Sequence, residues 1–339
     1  MPKVELHVHL EGSILPETLL ALASRRGVAL PAVDAKSLGE WFRFRDFEHF
    51  VEIYLTCSRC LRAPEDFQRI ALDFLAAQAA QNVVYTEAHF TIGTHLGNGL
   101  PGAEVREALW EAVREGEVRH GVRLRWIPDI VRNVPQWADA TLEWALDGVD
   151  EGVVALGLSG SEARFSSEPF RDHFLEAGRR RLHRVAHAGE HAGPEVIEAV
   201  IDRLGAERIG HGVRAAASDV LMKELAEWRI PLEVCPTSNV CLGVAKDIAS
   251  HPFDRLRRAG LAVTANSDDP ALFNTDITHE YLKLAEAFHY EAEDLAALAL
   301  AALSHSFLPD APKRTLAAEM RQQFRDLGER HLGRAVEVG

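Results

Sequence analysis

Cysteine is scarce in this 339-residue chain, which has only four: Cys57, Cys60, Cys235 and Cys241. So few thiols exclude a disulfide framework, and a reducing compartment keeps such residues unpaired. Cys57-Ser58-Arg59-Cys60 has the spacing of half a zinc site, but no second pair stands at a suitable distance, so packing on a helix is the expected role. Long apolar runs are missing too. No stretch of about 18 apolar residues is available to span a bilayer, and the N-terminus lacks the basic-then-apolar pattern of a secretory signal. A cytoplasmic protein with no membrane partner is expected. Positive charge is also short, with 37 Lys and Arg against 51 Asp and Glu and a formal net charge of −14. That balance repels phosphate backbones, which argues against nucleic acid as a partner and for a small molecule.

What is present is an ordinary globular balance, 47% hydrophobic and 26% charged. The chain exceeds the usual ~100–200 residues per domain, yet α/β barrels reach this size as one unit, and no linker or repeat divides it. One domain over residues 1–339 is the expectation. Eight runs read as strands: "KVELHVHL", "VVYTEAHF", "VRLRWIPDIV", "GVVALGLSG", "HRVAHAGE", "RIGHGV", "IPLEVCPTSN" and "LAVTANSDD". Between them, segments such as "PEDFQRIALDFLAAQAAQ" and "GPEVIEAVIDRLGAE" repeat apolar residues at i, i+3, i+4 and i+7, often after a helix-opening proline. Strand and helix in alternation imply parallel pairing, and eight units imply a closed (β/α)8 TIM barrel. Two departures stand out. Residues of about 13–80 form a helical insertion after the first strand, a candidate lid because loops that follow strands lie on the catalytic face, and the C-terminal segment reads as helices closing the barrel.

The first strand, "VELHVHLEG", places His7 and His9 two apart, so both side chains leave one face. Other strand ends carry Gly160, His187 with Glu190, His211, and Asp268 with Asp269. Each alone reads equally well as a polar group at a turn. A barrel, however, gathers all strand ends around one cavity. Three neutral imidazoles (His7, His9, His187) and one carboxylate (Asp268) form a donor set suited to one Zn²⁺ with an open position. No strand end offers the lysine that a carbamate-bridged pair of metals needs. Zinc in such a site acidifies a bound water toward pKa ~7, and His211 and Asp269 are the remaining polar groups to orient it.

"VELHVHLEG", "HAGE", "RIGHGV", "EVCPTSN" and "NSDDP", in this order from Val4 to Pro270, resemble the adenosine deaminase family of the amidohydrolase superfamily. The resemblance implies hydrolytic removal of a 6-amino group from a purine nucleoside, with His7, His9, His187 and Asp268 as zinc ligands. It also implies that Glu190 protonates purine N1, that His211 is the base positioning the water, that Asp269 is a second carboxylate on it, and that the Gly160 backbone N–H reaches purine N3. Attack at C6 breaks aromaticity, and a proton on N1 lets the ring accept the electrons. Glu190 is therefore expected to be neutral when substrate binds, as burial favours. The compact cytidine-type deaminases use H-x-E with P-C-x-x-C; His9-Leu10-Glu11 and the Cys57–Cys60 pair echo it, but the proline is absent and His187, His211 and the Asp pair would be idle. A binding module without catalysis would be expected to have lost a ligand or proton carrier, and none is missing.

Within the family, Glu11 stands where adenosine deaminases usually have Asp, a position associated with the ribose 5′-hydroxyl, and adenine deaminases also use Glu there. "GLSGSE" and "RIGHGV" differ from the "GLDSSE" and "RIDHGV" toward which adenine deaminases tend, and so favour a nucleoside. "YLTCSRCLRAPEDF" is similar to bacterial enzymes that deaminate 6-aminodeoxyfutalosine, an adenine nucleoside carrying a carboxylated aromatic ketone at its 5′ end, in the alternative menaquinone pathway. The expected substrate contacts are accordingly Glu11, Gly160, His9, and Arg59 and Arg62 on the carboxylate, with Arg43 and Arg45 nearby. Adenosine is the alternative substrate, then adenine.

Overall fold

The structure is a computed structural model and describes residues 1–338. Its centre is a barrel of eight strands: β1 (Lys3–His9), β2 (Val83–Phe90), β3 (Arg123–Val131), β4 (Ala155–Ser159), β5 (His183–Ala188), β6 (Arg208–His211), β7 (Leu232–Val234) and β8 (Val263–Ala265). Every neighbouring pair from β1 to β8 is parallel. Helices lie between the strands, which makes the fold a (β/α)8 TIM barrel.

Closure between β8 and β1 uses little strand pairing. Val8 bridges Asp268, with His9 N–H donating to Asp268 O at 2.7 Å and Asp268 N–H to His7 O at 3.1 Å. Next to this bridge the Asn266 side chain substitutes for backbone: its Oδ1 accepts from Leu6 N–H at 2.9 Å and His7 N–H at 3.2 Å. Its Nδ2 ties back to Thr264 Oγ1 at 3.0 Å. Outside the seam, Val4, Leu6, Val8 and Leu10 are fully buried, and the helix Ala292–His305 packs on both β1 and β8. Each such side chain contributes roughly 1.5–3 kcal/mol by leaving water.

Part of the barrel interior is ionic. Arg208 of β6 reaches Glu87 at 2.6 Å and Glu233 at 2.5 Å, with its guanidinium over the Phe307 ring. Removing one member of such a network would leave a buried charge unpaired, which costs several kcal/mol, so these groups stand or fall together.

Four helices separate β1 from β2: α1 (Pro16–Arg26), α2 (Ala35–Trp41), α3 (Phe47–Ser58) and α4 (Pro64–Ala80). Local chemistry sets their ends. Pro16 opens α1, the Asp34 and Asp46 carboxylates accept from Ser37 and His49 N–H at the starts of α2 and α3, and Asp66 accepts from Arg62 and Ala63 N–H ahead of α4. α4 packs on β2 and on the Gly102–His120 helix, where a crossover helix belongs. α1 to α3 are the surplus. Along α3, Phe47, Phe50, Val51, Tyr54 and Leu55 share one face at helical spacing, and this face lines the cavity at the strands' C-terminal end. Phe50 stacks on Phe273 at 5.3 Å, and Phe47 meets the His191 ring at 4.8 Å.

Some strands are shorter than the sequence pattern predicts. β7 stops at Val234 because Pro236 opens a helix, Pro236–Cys241, that takes up the "PTSN" residues. β4 starts only at Ala155, after a turn in which Gly152 sits at φ 93. At the C-terminal end, helices Ile277–Phe288, Ala292–His305 and Asp310–Leu332 follow the barrel as expected. No helix among the described residues is long and apolar enough to cross a membrane.

Candidate active site

Strand geometry delivers His7 and His9 from β1, His187 from β5 and Asp268 from just past β8 to one place, each offering an atom within 4.8 Å of the others. His9 Nε2 lies 3.2 Å from His187 Nε2 and 3.3 Å from Asp268 Oδ1, and His7 Nε2 lies 3.5 Å from that same oxygen. A tetrahedron with ~2.0–2.1 Å metal–ligand bonds has edges of roughly 3.3–3.4 Å, so the spacing fits one such ion. The far sides of two rings are already engaged. Glu233 Oε2 accepts from His7 Nδ1 at 2.8 Å, and Leu158 O accepts from His187 Nδ1 at 3.0 Å, which frees each Nε2 lone pair to face inward. His7 Nε2 is buried without a hydrogen-bond partner, the state of an atom made to bind something other than protein.

The electrostatics point the same way. Burial opposes charge on His7, but Asp268 and Glu233 outweigh it and take its pKa up to about 10. Burial and the neighbouring His7 and His9 hold His187 well below the usual imidazole value. The cluster attracts positive charge yet cannot protonate every ring, a conflict that one cation between the rings resolves. Cys235 also stands near His7, His211 and Asp268, but burial and then Asp268 push its thiol well above the usual range and make it the poorer ligand. Cys57 and Cys60 sit in the apolar core around the end of α3, away from these ligand groups.

Two residues at this cluster hold unusual backbone. His211 is at φ 61 and Asp268 at φ 64, left-handed positions that cost a non-glycine residue energy and recur where function demands a particular side-chain direction. Asp269 is buried beside Asp268, and burial followed by that neighbouring charge raises its pKa well above the ordinary carboxylate value. Gly12 gives it room, since a Cβ there would stand 1.8 Å from Asp269 Oδ1.

A cavity of about 400 Å³ opens above these groups. His9, Gly160, His187, Glu190, His211, Asp268 and Asp269 all line it. Gly160, at φ 90, marks the turn after β4, where a Cβ would meet Asn133 Oδ1 at 2.6 Å. Glu190 Oε1 is 3.8 Å from His211 Nε2, and His191 Nδ1 is 3.1 Å from Glu190 Oε2. Burial raises the Glu190 pKa, but His211 and His191 together bring it below the usual value.

The remaining expected contacts diverge. Glu11 is buried behind Thr91, which does line the cavity; its Oε1 accepts from Thr91 N–H at 2.9 Å, Thr91 Oγ1 at 2.5 Å and His95 Nε2 at 3.0 Å, leaving Oε2 unpartnered. Arg59 and Arg62 are not brought to the cavity. Both are exposed, because the inward face of α3 ends before Arg59 and the chain then turns outward to be capped by Asp66. Arg43 and Arg45 are exposed as well, and no Lys or Arg lines the cavity. Arg164, three residues past the cavity-lining Ser161, joins Glu48, which follows the cavity-lining Phe47 of α3, at 3.0 Å.

Sequence reasoning passed over two buried groups. His89 of β2 pairs with Asp129 of β3 at 2.8 Å and packs against His7 and His9 at 4.6 and 5.0 Å. Its place in an alternating strand was visible, but nothing marked it apart from a core histidine. Glu162 accepts from four successive backbone N–H groups, those of Gly189, Glu190, His191 and Ala192, at 2.7, 2.7, 2.6 and 2.9 Å. It thereby fixes the turn that carries Glu190. Its signal was the final Glu of "GLSGSE", two residues past Gly160.

With this geometry in view, a family model described as adenosine deaminase matches residues 2–323. The chain belongs to the adenosine deaminase family. Among its relatives, the aminodeoxyfutalosine deaminase of Streptomyces avermitilis is 37% identical over 94% of this chain and 90% of its own length. The adenine deaminase of Streptomyces coelicolor is also 37% identical, over 91% of each. Among solved structures, an amidohydrolase from Burkholderia ambifaria with bound zinc superposes with a TM-score of 0.91, at 25% identity, over 98% of this chain and 93% of that one. As a member of the adenosine deaminase family the chain is a deaminase, a hydrolase acting on C–N bonds.

Proposed function

We propose that the protein hydrolyses the 6-amino group from an adenine nucleoside with one zinc ion, and that its preferred substrate is 6-aminodeoxyfutalosine. The observation that carries the substrate reading is the cavity's second wall. Phe47, Phe50 and Tyr54 of α3 face it with Trp137, and this aromatic lining extends away from the His/Asp cluster without any cation. A 5′-phosphate would find no partner there, whereas an aromatic 5′ substituent would be covered by rings. A bare purine leaves that wall unused. The likeness to an aminodeoxyfutalosine deaminase supports the same reading.

His7, His9, His187 and Asp268 would hold the zinc, which when bound would acidify a water. The other residues bind and orient. The Gly160 turn meets the purine edge, and Asp269 and His211 flank the place of the attacking water. Glu190 faces the ring nitrogen that must gain a proton. It shares a hydrogen bond with His191, and a purine filling the cavity removes water from this pair, favouring the neutral carboxyl that can deliver that proton. The substrate's own carboxylate would reach past the aromatic wall, toward Arg164, which can exchange its exposed partner Glu48 for it.

Rates on 6-aminodeoxyfutalosine, adenosine, adenine and AMP, measured side by side, test the reading. The expected order of kcat/KM is the carboxylated nucleoside, then adenosine, then adenine, with AMP lowest. Equal efficiency on the first two would return the protein to simple adenosine deamination.

A further inference from the structure

His211 presents Nε2 toward Glu190 and Asp268, at 3.8 and 3.9 Å. Its other nitrogen, Nδ1, meets the Asn239 side-chain nitrogen at 3.3 Å. The Asn239 oxygen in turn meets His251 Nε2 at 3.1 Å, and His251 Nδ1 meets the backbone N–H of Phe253, also at 3.1 Å. Three of these four groups are ambiguous taken singly, since a neutral imidazole nitrogen donates or accepts and a side-chain amide can turn over. The backbone N–H is not ambiguous, because it can only donate.

That one certainty orients the whole row. His251 Nδ1 accepts from Phe253 and so carries no proton, which places the ring's proton on Nε2, where it donates to Asn239 Oδ1. Asn239 is then left with its NH₂ group for His211, whose Nδ1 must accept. The single proton of a neutral His211 therefore sits on Nε2, facing the cavity. Turning Asn239 over would set its NH₂ against the His251 Nε2–H, two donors facing each other. Asn239 and His251 are 0% and 4% exposed, so no bulk water relieves that conflict.

We infer that Phe253 N–H, His251 and Asn239 form a tautomer lock that fixes His211 as a hydrogen-bond donor toward the reacting centre. His251 and Asn239 are thus positioning residues that never touch substrate. For its chemical consequence the lock rests on the deaminase reading: an oxygen held against His211 meets a donor, so His211 steadies negative charge growing on that oxygen instead of taking a proton from it.

Long-range ¹H–¹⁵N correlation spectra of the zinc-loaded protein with ¹⁵N-labelled histidine read the tautomer directly, His211 being assigned by the signal lost in His211→Gln. The expected pattern for both His211 and His251 is a protonated Nε2 and a bare Nδ1. A protonated Nδ1 on His211 in the wild-type protein overturns the lock, with no variant needed. Asn239→Asp replaces the donor by an acceptor and should move the His211 proton to Nδ1, lowering kcat by about 10²–10⁴-fold while KM stays within about threefold. An unchanged tautomer in that variant also overturns the lock. His251→Gln retains an amide donor for Asn239 and should keep the wild-type His211 tautomer and most of the activity, whereas His251→Leu should lose both. The spectra need no turnover. A correct tautomer in a protein inert toward every adenine nucleoside would therefore sink the deaminase reading and leave the lock standing.

Discussion

One wall of the cavity is contributed by the ends of strands, the other largely by a single helix inserted between β1 and β2. On the first, imidazoles and carboxylates are buried and tied to further groups: His7 to Glu233, His187 to Leu158 O, and the Glu190 turn to Glu162. On the second, Phe47, Phe50 and Tyr54 are held by ring packing and one exposed ion pair, Arg164 with Glu48. The polar wall is over-determined, so each side chain has one place to be. The aromatic wall is held by contacts that many apolar side chains could supply. Relatives of equal identity bearing the names aminodeoxyfutalosine deaminase and adenine deaminase fit that division, in which one chemistry is retained while the selecting surface changes.

The sharpest way to break the division is at the metal. His187→Ala or Asp268→Ala should empty the site, measured by elemental analysis against about one zinc per wild-type chain, and abolish turnover on every substrate alike. Full activity without metal would sink the mechanism. Next comes Glu190→Gln, which keeps a hydrogen-bonding shape but loses the deliverable proton. Its kcat should fall by about 10²–10⁴-fold with KM little changed and zinc retained.

Glu162→Gln probes the support behind that acid. An amide NH₂ would face backbone N–H groups that now meet an acceptor, so a stability loss of about 1–3 kcal/mol in urea unfolding is expected, with kcat reduced on all substrates in proportion. A mutation in the other wall should discriminate among substrates. Arg164→Ala should lower kcat/KM for the carboxylated nucleoside by about tenfold, the order of one charge-assisted hydrogen bond, and leave adenosine unchanged. Arg59→Ala and Arg62→Ala should be silent on both; selective loss in either would return the carboxylate to the end of α3.

The smallest effect concerns pH. Burial would raise the Glu11 pKa, but hydrogen bonds and charge from His95, with Thr91, lower it from 4.5 to about 2. A carboxylate depressed in the folded state stabilises the fold above its unfolded pKa, and this stability is lost as pH falls from about 4.5 toward 2. Glu11→Gln should therefore unfold with a flatter pH dependence in that window and differ most from wild type near neutrality. Parallel acid-unfolding curves would remove Glu11 from this role.

Much of the chemical wall was legible because barrel topology converts strand-end residues into neighbours: once eight strands were read, His7, His187 and Asp268 could be assembled without coordinates. Strand lengths were less so, since Pro236 can open a helix or sit past a strand, and only packing decides. The surroundings of Glu190 were legible only in part: burial is visible in a sequence pattern, but the 3.1 Å approach of His191 is not. Arg59 and Arg62 lie off the cavity lining for a similar reason, because a helix's last turn leaves its apolar face within one residue. Glu162, His89 and the Asn239–His251 row escaped notice because each acts on another protein group, and such pairings have no spacing rule.

The seam held by Asn266 has a consequence for how the protein is made. Leu6 and His7 are synthesised long before the side chain that satisfies their N–H groups, which arrives 260 and 259 residues later. β1 has its β2 partner early but keeps an open edge, carrying His7 and His9, until β8 is synthesised. A nascent chain therefore cannot complete the proposed zinc site before Asp268 is made, and truncation anywhere before Asp268 should leave a product that exposes the β1 edge and lacks the full proposed ligand set.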